Sequence, residues 1–239
     1  MVNIILPMAM KNFNSGKLNQ SIQFHLINNK LIIEYFLISL KKIKIKNRLI
    51  IIVDNDKKKL LTKILYKLNI INFKIITVNQ TAGSLCSVLM ASDYIDNSPL
   101  LILNSDQIFP NINLYLKKFI KNKNDCGFLY FSSKNSRWAY AIFDDDILRE
   151  ISIFKTFKTN AIAGFYFFKN GDNFLEYSQK IILKSWAIND IFYVAEVINE
   201  YILSFRNISY IKLNNNDIIH LYSPEMIYKN YSRLENGDF

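Results

Sequence analysis

The sequence predicts an α/β fold in which one mostly parallel sheet carries helices on both faces and a small antiparallel annex. In the first half of the chain, short apolar runs alternate with longer segments that mix apolar and polar residues, as in parallel βαβ units. In the second half, strand-like runs follow one another with few helices between them. Because 50% of the 239 residues are hydrophobic and 21% are charged, a single domain over residues 1–239 can bury a substantial core.

The first half of the chain contains the predicted parallel part of the sheet. Its strands are short, mainly apolar runs, which cover residues 2–7, 49–53, 74–78 and 100–103. The polar segment 11–20 is rich in Asn and Ser and predicts a loop. Since parallel neighbours need crossover connections, we expect right-handed crossovers between these strands. Helices are predicted over 31–42, over the lysine-rich segment 57–68, and from Thr81 to about Asp93.

The second half of the chain contains the predicted annex. Asp144, Asp145 and Asp146 lie between two strand-like runs, which predicts a solvated hairpin turn more readily than a metal cluster. A terminal helix begins near Ser223, because Pro224 at the first helical position fits its fixed φ angle. The other elements are strands over 127–133, 139–143, 147–153, 161–168, 208–213 and 217–222, and helices over 172–184 and 192–204.

The charge of the chain is basic, with 30 Lys and Arg against 20 Asp and Glu, and a net charge of +10. An excess of basic residues makes nucleic acids, anionic membranes and phosphorylated ligands candidate partners. Much of the excess lies in segment 41–74, where lysines mix with apolar residues as on solvated helix faces. Because no arginine-rich or aromatic-laced basic motif is present, the sequence does not predict a nucleic-acid partner.

The cysteines and the hydrophobic runs indicate the cellular compartment in which we expect the protein. Cys86 and Cys126 form no C-x-x-C pair, so a disulfide framework or zinc cluster is not indicated, and free thiols suit a reducing compartment. No apolar run reaches the ~18 residues of a membrane span, and the first ten residues do not have the pattern of a signal peptide. We therefore expect a cytoplasmic protein without a membrane span.

Glycine is scarce, with six residues in the chain, and no two of them lie closer than seven positions. The dinucleotide fingerprint, the P-loop and the nucleophile elbow all require more closely spaced glycines. All three motifs are therefore absent from the sequence.

Two features lie where ligands bind in open α/β sheets, beyond the carboxyl ends of the strands. Asp106 follows the run 100–103 and could hold Mg²⁺, or it could merely cap a turn. Residues 81–84 start a helix with Gly83, where free N–H groups could approach a phosphate, although an ordinary helix cap gives the same pattern. His25 and His220 have no catalytic partner nearby in sequence and are interpreted as structural.

Several segments resemble the sugar-phosphate nucleotidyltransferase family, in its short single-domain branch from capsule and surface-polysaccharide loci. Residues 81–89 read T-A-G-S-L-C-S-V-L and resemble T-x-G-A-A-C-T-V-L, and residues 100–107 read L-L-I-L-N-S-D-Q and resemble L-L-I-x-N-S-D-Q. The weaker resemblances follow in the same order as in the family, and they cover residues 29–34, 138–141, 164–168, 192–199 and 222–225.

The resemblance implies a GT-A/Rossmann-like fold and a Mg²⁺-dependent transfer. In that reaction a sugar phosphate, or a similar phosphorylated small molecule, attacks the α-phosphorus of an NTP and pyrophosphate leaves. By the same resemblance, Asp106 and Asn199 would hold the metal. The nucleotide would contact Ala9, Thr81, Gly83, Ser84 and Asn104, and the second substrate would contact Tyr140, Ala141 and Gly164.

The sequence departs from the family pattern at the groups that bind phosphate. The family's G-x-G-[ST]-R loop falls on residues 10–14, which read M-K-N-F-N, and its P-K pair falls on residues 21–22. The E-K pair falls on residues 153–154, with Lys155 one place further. Lys11 and Lys155 are therefore the candidate catalytic cations, because lysine can act as a flexible point charge.

Three functions remain open at this point. The first is a divergent nucleotidyltransferase in surface-polysaccharide precursor synthesis. The second is a catalytically silent member that binds a nucleotide sugar, or that pairs with itself or with an active paralogue. The third is a GT-A glycosyltransferase with Asp106 as its metal ligand, since a fold hosts many functions.

Overall fold

The computed structural model describes residues 1–9, 22–153, 159–185 and 187–239 of the chain. The predicted loop over 11–20 lies outside the described residues, and so do the candidate cations Lys11 and Lys155.

The structure alternates strands with helices in its first half, as predicted. In chain order the strands are β1 (Val2–Pro7), β2 (Leu26–Ile27), β3 (Lys30–Leu31), β4 (Asn47–Asp54), β5 (Phe73–Val78), β6 (Leu100–Leu103), β7 (Gln107–Ile108), β8 (Cys126–Ser132), β9 (Tyr140–Asp144), β10 (Ile147–Ser152), β11 (Asn160–Phe168), β12 (Ile208–Lys212) and β13 (Ile219–His220). The α-helices are α1 (Ile32–Leu40), α2 (Lys58–Lys67), α3 (Ser84–Leu89), α4 (Ile112–Lys121), α5 (Gly171–Leu183), α6 (Val197–Leu203), α7 (Pro224–Lys229) and α8 (Tyr231–Asn236).

Within the described residues, the main sheet has nine strands. Strands β5, β4, β1 and β6 lie side by side and are parallel. Strand β11 pairs antiparallel with β6, β8 pairs antiparallel with β11, and β12 pairs parallel with β8. The β9–β10 hairpin joins the sheet where Tyr140 pairs with Ala161. The predicted fold class, a mostly parallel sheet with an antiparallel annex, is confirmed.

The two faces of the sheet carry separate apolar layers. Along β1, Ile4 and Leu6 point into one layer, whereas Ile5 points into the other, because successive side chains of a strand alternate between faces. Helices α1, α2 and α4 cover the first face, and helices α3, α5 and α6 cover the second. The parallel strands are therefore buried on both sides, which explains their unbroken apolar sequences.

Several elements differ from the prediction. Helix α4 was not predicted, although its buried residues recur at helical spacing at Ile112, Tyr115, Leu116 and Phe119. The predicted helix over 81–93 ends at Leu89 and is followed by a 3₁₀ turn. The predicted terminal helix is two short helices, α7 and α8. None of the described helices is long and apolar enough to cross a membrane.

Glu34 connects two helices on the first face. It is 5% exposed, and its carboxylate accepts a hydrogen bond of 2.8 Å from the backbone N–H of Leu31 at the start of α1. The same carboxylate lies 2.8 Å from the Lys67 ammonium, at the end of α2. Glu34 thus satisfies a free N–H group of α1 and holds α2 against it.

We expect Glu34→Ala to lower the free energy of unfolding by about 2 kcal/mol, because the Leu31 N–H is left without its acceptor. Lys67→Ala should cost less than Glu34→Ala, because it keeps the acceptor of the Leu31 N–H. Glu34→Gln keeps an acceptor oxygen and should resemble Lys67→Ala. Urea unfolding of the three variants measures this, and a loss in Glu34→Gln as large as in Glu34→Ala would contradict the capping role.

Candidate functional site

The carboxyl ends of the parallel strands meet at one edge of the sheet, and polar residues follow β6 there. Asn104 is bound to the neighbouring strand β11, because its backbone N–H donates to the Gly164 carbonyl at 2.8 Å. The N–H of Gly164 donates to Oε1 of Gln107 at 2.6 Å. These two bonds hold the turn between β6 and β7 against β11. The structure therefore brings together the predicted residues Asn104, Asp106 and Gly164 at the ligand-binding edge.

Gly164 is glycine because of this close approach. A β-carbon at Gly164 would lie 2.4 Å from the β-carbon of Asn104 and 2.5 Å from its side-chain amide nitrogen. The side chain of Asn104 thus occupies the space over Gly164. Asn104 was predicted to contact the nucleotide, and Gly164 was predicted to contact the second substrate. Both roles stay predictions.

Asp106 carries a carboxylate that its own chain only partly satisfies. Its Oδ1 atom is buried and has no hydrogen-bond partner among the described residues. Its Oδ2 atom lies 3.8 Å from Nη2 of Arg137. Burial raises the pKa of Asp106, and the Arg137 charge opposes that rise. Burial, and then the charge of Asp106, raise the pKa of Tyr166.

Arg137 is held by aromatic rings. Its guanidinium carbon lies 3.7 Å from the centre of the Tyr222 ring and 5.0 Å from the Trp138 ring. Cation–π contacts of this kind fix the plane of a guanidinium. Arg137 was not predicted as a site residue from the sequence. Arg137 directly precedes the segment 138–141, which resembles the family, and this position could have indicated a role in the site. Its approach to Asp106 could not be predicted, because it depends on the fold.

His220 lies in the same aromatic group. Its ring is 4.8 Å from the Phe131 ring and 5.6 Å from the Trp138 ring, and its strand β13 pairs with β7 opposite Gln107. Burial, and then the charge of Arg137, lower the pKa of His220 to about 4. The imidazole is therefore neutral at pH 7. The structural interpretation of His220 stays a prediction, and the structure adds that it lies beside the site.

Gly83, Thr81 and Ser84 form a compact helix start at α3. Gly83 has a φ of 107°, and a β-carbon there would lie 2.3 Å from the Phe192 carbonyl oxygen. Phe192 also accepts from the Leu85 N–H at 3.1 Å, and Ser84 Oγ accepts from the Val194 N–H at 3.2 Å. Thr81 bonds to the Ser87 hydroxyl at 2.6 Å. A residue with a β-carbon would be strained at this φ and would collide with Phe192, so the packing of the chain on itself requires glycine here.

Ala9, Tyr140 and Ala141 are buried. Ala9, two residues after the end of β1, is 2% exposed, and Ala141 is fully buried in β9. Tyr140 is 1% exposed, and its hydroxyl donates to the Asn135 carbonyl at 2.7 Å. The predicted ligand contacts of these residues stay predictions, and their side chains are occupied by packing.

Asn199 is bound elsewhere. Its amide oxygen accepts from the Ile151 N–H at 2.7 Å, and its amide nitrogen donates to the Ile151 carbonyl at 2.9 Å. Both amide atoms are thus used to fasten α6 to β10. The metal-binding role that the resemblance implied for Asn199 stays a prediction, and this geometry gives it no support.

The chain has an α/β fold with a candidate ligand site at the carboxyl edge of its sheet. Residues 19–186 match the model of the nucleotidyl transferase family, which is more than half of the chain. The chain belongs to this family. A comparison with curated protein sequences finds no match.

Solved structures share the fold at low sequence identity. A nucleoside-diphosphate-sugar pyrophosphorylase from Vibrio cholerae is 19% identical, with a TM-score of 0.78, over 96% of this chain and 99% of that chain. A protein from Bacillus anthracis, described as a glucose-1-phosphate thymidylyltransferase, is 15% identical, with a TM-score of 0.78, over 99% and 96% of the two chains. The inositol-1-phosphate CTP transferase of T. maritima is 14% identical, with a TM-score of 0.74, over 99% and 95%.

The glycine at the start of α3 can be tested against a second glycine with positive φ. We expect Gly83→Ala to destabilise the protein by about 2–4 kcal/mol, through backbone strain and collision with Phe192. Gly237→Ala should cost about 1 kcal/mol, because its φ is 72° but nothing lies within 4 Å of the added carbon. Thermal or urea unfolding measures both, and equal losses would show that strain alone explains the Gly83 requirement.

Glu196 offers a test of pH dependence next to this helix start. It is 6% exposed, accepts from the Tyr193 N–H at 3.0 Å, and burial raises its pKa from 4.5 to about 7. The folded state therefore binds more protons, so stability should fall as the pH rises from about 4.5 to about 7. Glu196→Gln should gain stability relative to the parent protein at pH 8 but not at pH 4. Unfolding curves of the two proteins are measured at both pH values. A stability difference that is the same at pH 4 and at pH 8 would contradict the raised pKa of Glu196.

Proposed function

We propose that this protein transfers a nucleotidyl group from an NTP to a sugar phosphate, or to a similar phosphorylated small molecule, and releases pyrophosphate. The observation that carries the proposal is the Asp106 carboxylate, which lies at the ligand-binding edge with one buried oxygen that has no partner among the described residues. In a chain of the nucleotidyl transferase family, such a carboxylate suits a metal–nucleotide complex.

The carboxylate oxygen atoms of Asp106 are suitable ligands for Mg²⁺. Mg²⁺ prefers oxygen ligands and is commonly bound through one or two carboxylates together with substrate phosphates and water. The described residues contain no cluster of three His, Cys, Asp or Glu side chains that could form a complete protein cage. Asp106 would hold the ion through its carboxylate, and substrate phosphates and water would supply further oxygen ligands. Mg²⁺ bound there would neutralise charge on the phosphates during the displacement.

The chain itself would mainly bind and orient the substrates. Displacement at phosphorus requires little covalent chemistry from the protein, so positioning and charge dominate the rate. The start of α3 at Gly83 and the turn at Asn104 border the site on the nucleotide side in this proposal. Gly164 on β11 borders it on the side of the second substrate.

The proposed acceptor and setting rest on likeness. The solved structures with this fold include proteins named for transfer to glucose 1-phosphate and to inositol 1-phosphate. The segments at 81–89 and 100–107 resemble the surface-polysaccharide branch of the family. We place the reaction in surface-polysaccharide precursor synthesis in the cytoplasm, where the free thiols of Cys86 and Cys126 are stable.

Pyrophosphate release tests the proposal. The protein is incubated with each of the four common NTPs, Mg²⁺ and a panel of sugar and polyol 1-phosphates. We expect release with one nucleotide and one acceptor, and Asp106→Asn should lower the rate by about 100-fold or more, because the metal loses its carboxylate. Asp172→Asn, an exposed carboxylate in the first turn of α5, is the matched control and should keep full activity.

The alternatives predict different results. No release from any NTP, together with stabilisation by a nucleotide sugar or by a partner protein, would replace the proposal with a catalytically silent member. Release of UDP or GDP from a nucleotide sugar with an acceptor present would replace it with glycosyl transfer.

A further inference from the structure

Arg137 differs from the other arginines in how its charge is satisfied. The chain has five arginines. Within the described part of the chain, the guanidinium of Arg137 forms no hydrogen bond, and its distance of 3.8 Å to Asp106 is too long for one. The guanidinium groups of the other four all donate to oxygen atoms, namely those of Arg48, Arg149, Arg206 and Arg233.

The position of Arg137 leaves its donors open toward the site. Tyr222 covers one face of the guanidinium, at 3.7 Å from its ring centre, so the N–H groups extend from the edge of the plane. The side chain is 38% exposed, whereas that of Asp106 is 18% exposed. A ligand that approaches Asp106 can therefore reach Arg137 without displacing the rings.

The two side chains together are complementary to a metal–phosphate unit. Asp106 has an oxygen without a hydrogen-bond partner among the described residues, and such an oxygen can ligate a cation. Arg137 has planar donors, whose preferred partners are the oxygens of phosphates and carboxylates. A phosphate bound through Mg²⁺ to Asp106 places negative oxygens next to a guanidinium that lies 3.8 Å from the same carboxylate.

We propose that Arg137 binds a phosphate group of the substrate beside Asp106. The inference rests on the proposed function, and it deepens that function by naming the cation that meets the phosphate in the described part of the site. The phosphate belongs either to the NTP or to the acceptor, and the binding of both is measured below. Tyr222 and Trp138 position the guanidinium for this contact.

Calorimetric binding tests the inference with Arg137→Met, which keeps length but removes charge. The probes are Mg²⁺ alone, pyrophosphate with Mg²⁺, each NTP, the matching nucleosides and a panel of hexose 1-phosphates. We expect pyrophosphate affinity to fall about 10- to 100-fold in Arg137→Met, and to recover in part in Arg137→Lys. Nucleoside and free Mg²⁺ affinities should not fall. Arg149→Met, which removes an exposed arginine paired with Asp144, should change none of them.

The probes also identify the source of the phosphate. A loss confined to NTP and pyrophosphate assigns Arg137 to the triphosphate, and a loss that extends to hexose 1-phosphates assigns it to the acceptor as well. Unchanged phosphate affinity, an equal loss for nucleosides and Mg²⁺, or a parent protein that binds none of the phosphates would overturn the inference. Thermal unfolding of each variant shows that it is folded.

The two proposals fail separately. If the parent protein releases pyrophosphate from an NTP while Arg137→Met binds all phosphates normally, the inference fails and the proposed function stands. If pyrophosphate binding depends on Arg137 but no NTP is turned over, the proposed function fails and the phosphate contact stands.

Discussion

Burial of the central parallel strands on both faces is the constraint on which the rest of the structure depends. Ile5 in β1, and Ile51 and Ile52 in β4, are fully buried, so helices must cover both sides of the sheet. Side chains cannot reach solvent along these strands. Within β1 and β4, polar side chains such as Asn3 and Arg48 lie near the start of the strand and bond to each other, and the first polar residues after β6 are Asn104, Ser105 and Asp106. The requirement for a two-sided core thus places the candidate site at the sheet edge.

The scarce glycines serve the same close packing. At Gly83, Gly127 and Gly164, an added β-carbon would lie 2.3–2.4 Å from a neighbouring atom. Gly127 makes room for the Phe119 ring behind the sheet, whereas Gly83 and Gly164 make room for Phe192 and Asn104 near the site. At these three positions, glycine stands where two segments of the chain touch.

The fold could be predicted from the sequence because its strongest signals are local. The apolar runs 2–7 and 100–103 coincide with β1 and β6, and buried parallel strands produce such runs directly. Helix α4 carries a helical pattern that could have been found. The pairing of Asn199 with Ile151 and of Asp106 with Arg137 could not, because each joins residues that are 48 and 31 positions apart and that meet only in the folded chain.

The carboxylate and guanidinium at the sheet edge are poorly arranged for stability. Burial raises the pKa of Asp106, so its charge is costly in the folded state, and a pair at 3.8 Å without a hydrogen bond returns little of that cost. A shorter contact would satisfy both groups, whereas in the structure the guanidinium stacks on the Tyr222 ring at 3.7 Å from its centre. Two opposite charges that lie close together without a hydrogen bond stabilise the fold little, but each can bind the opposite charge of an ionic ligand. In the function proposed above, a metal and a phosphate bound beside these two charges would stabilise the folded state, which is why we propose this edge as the binding site.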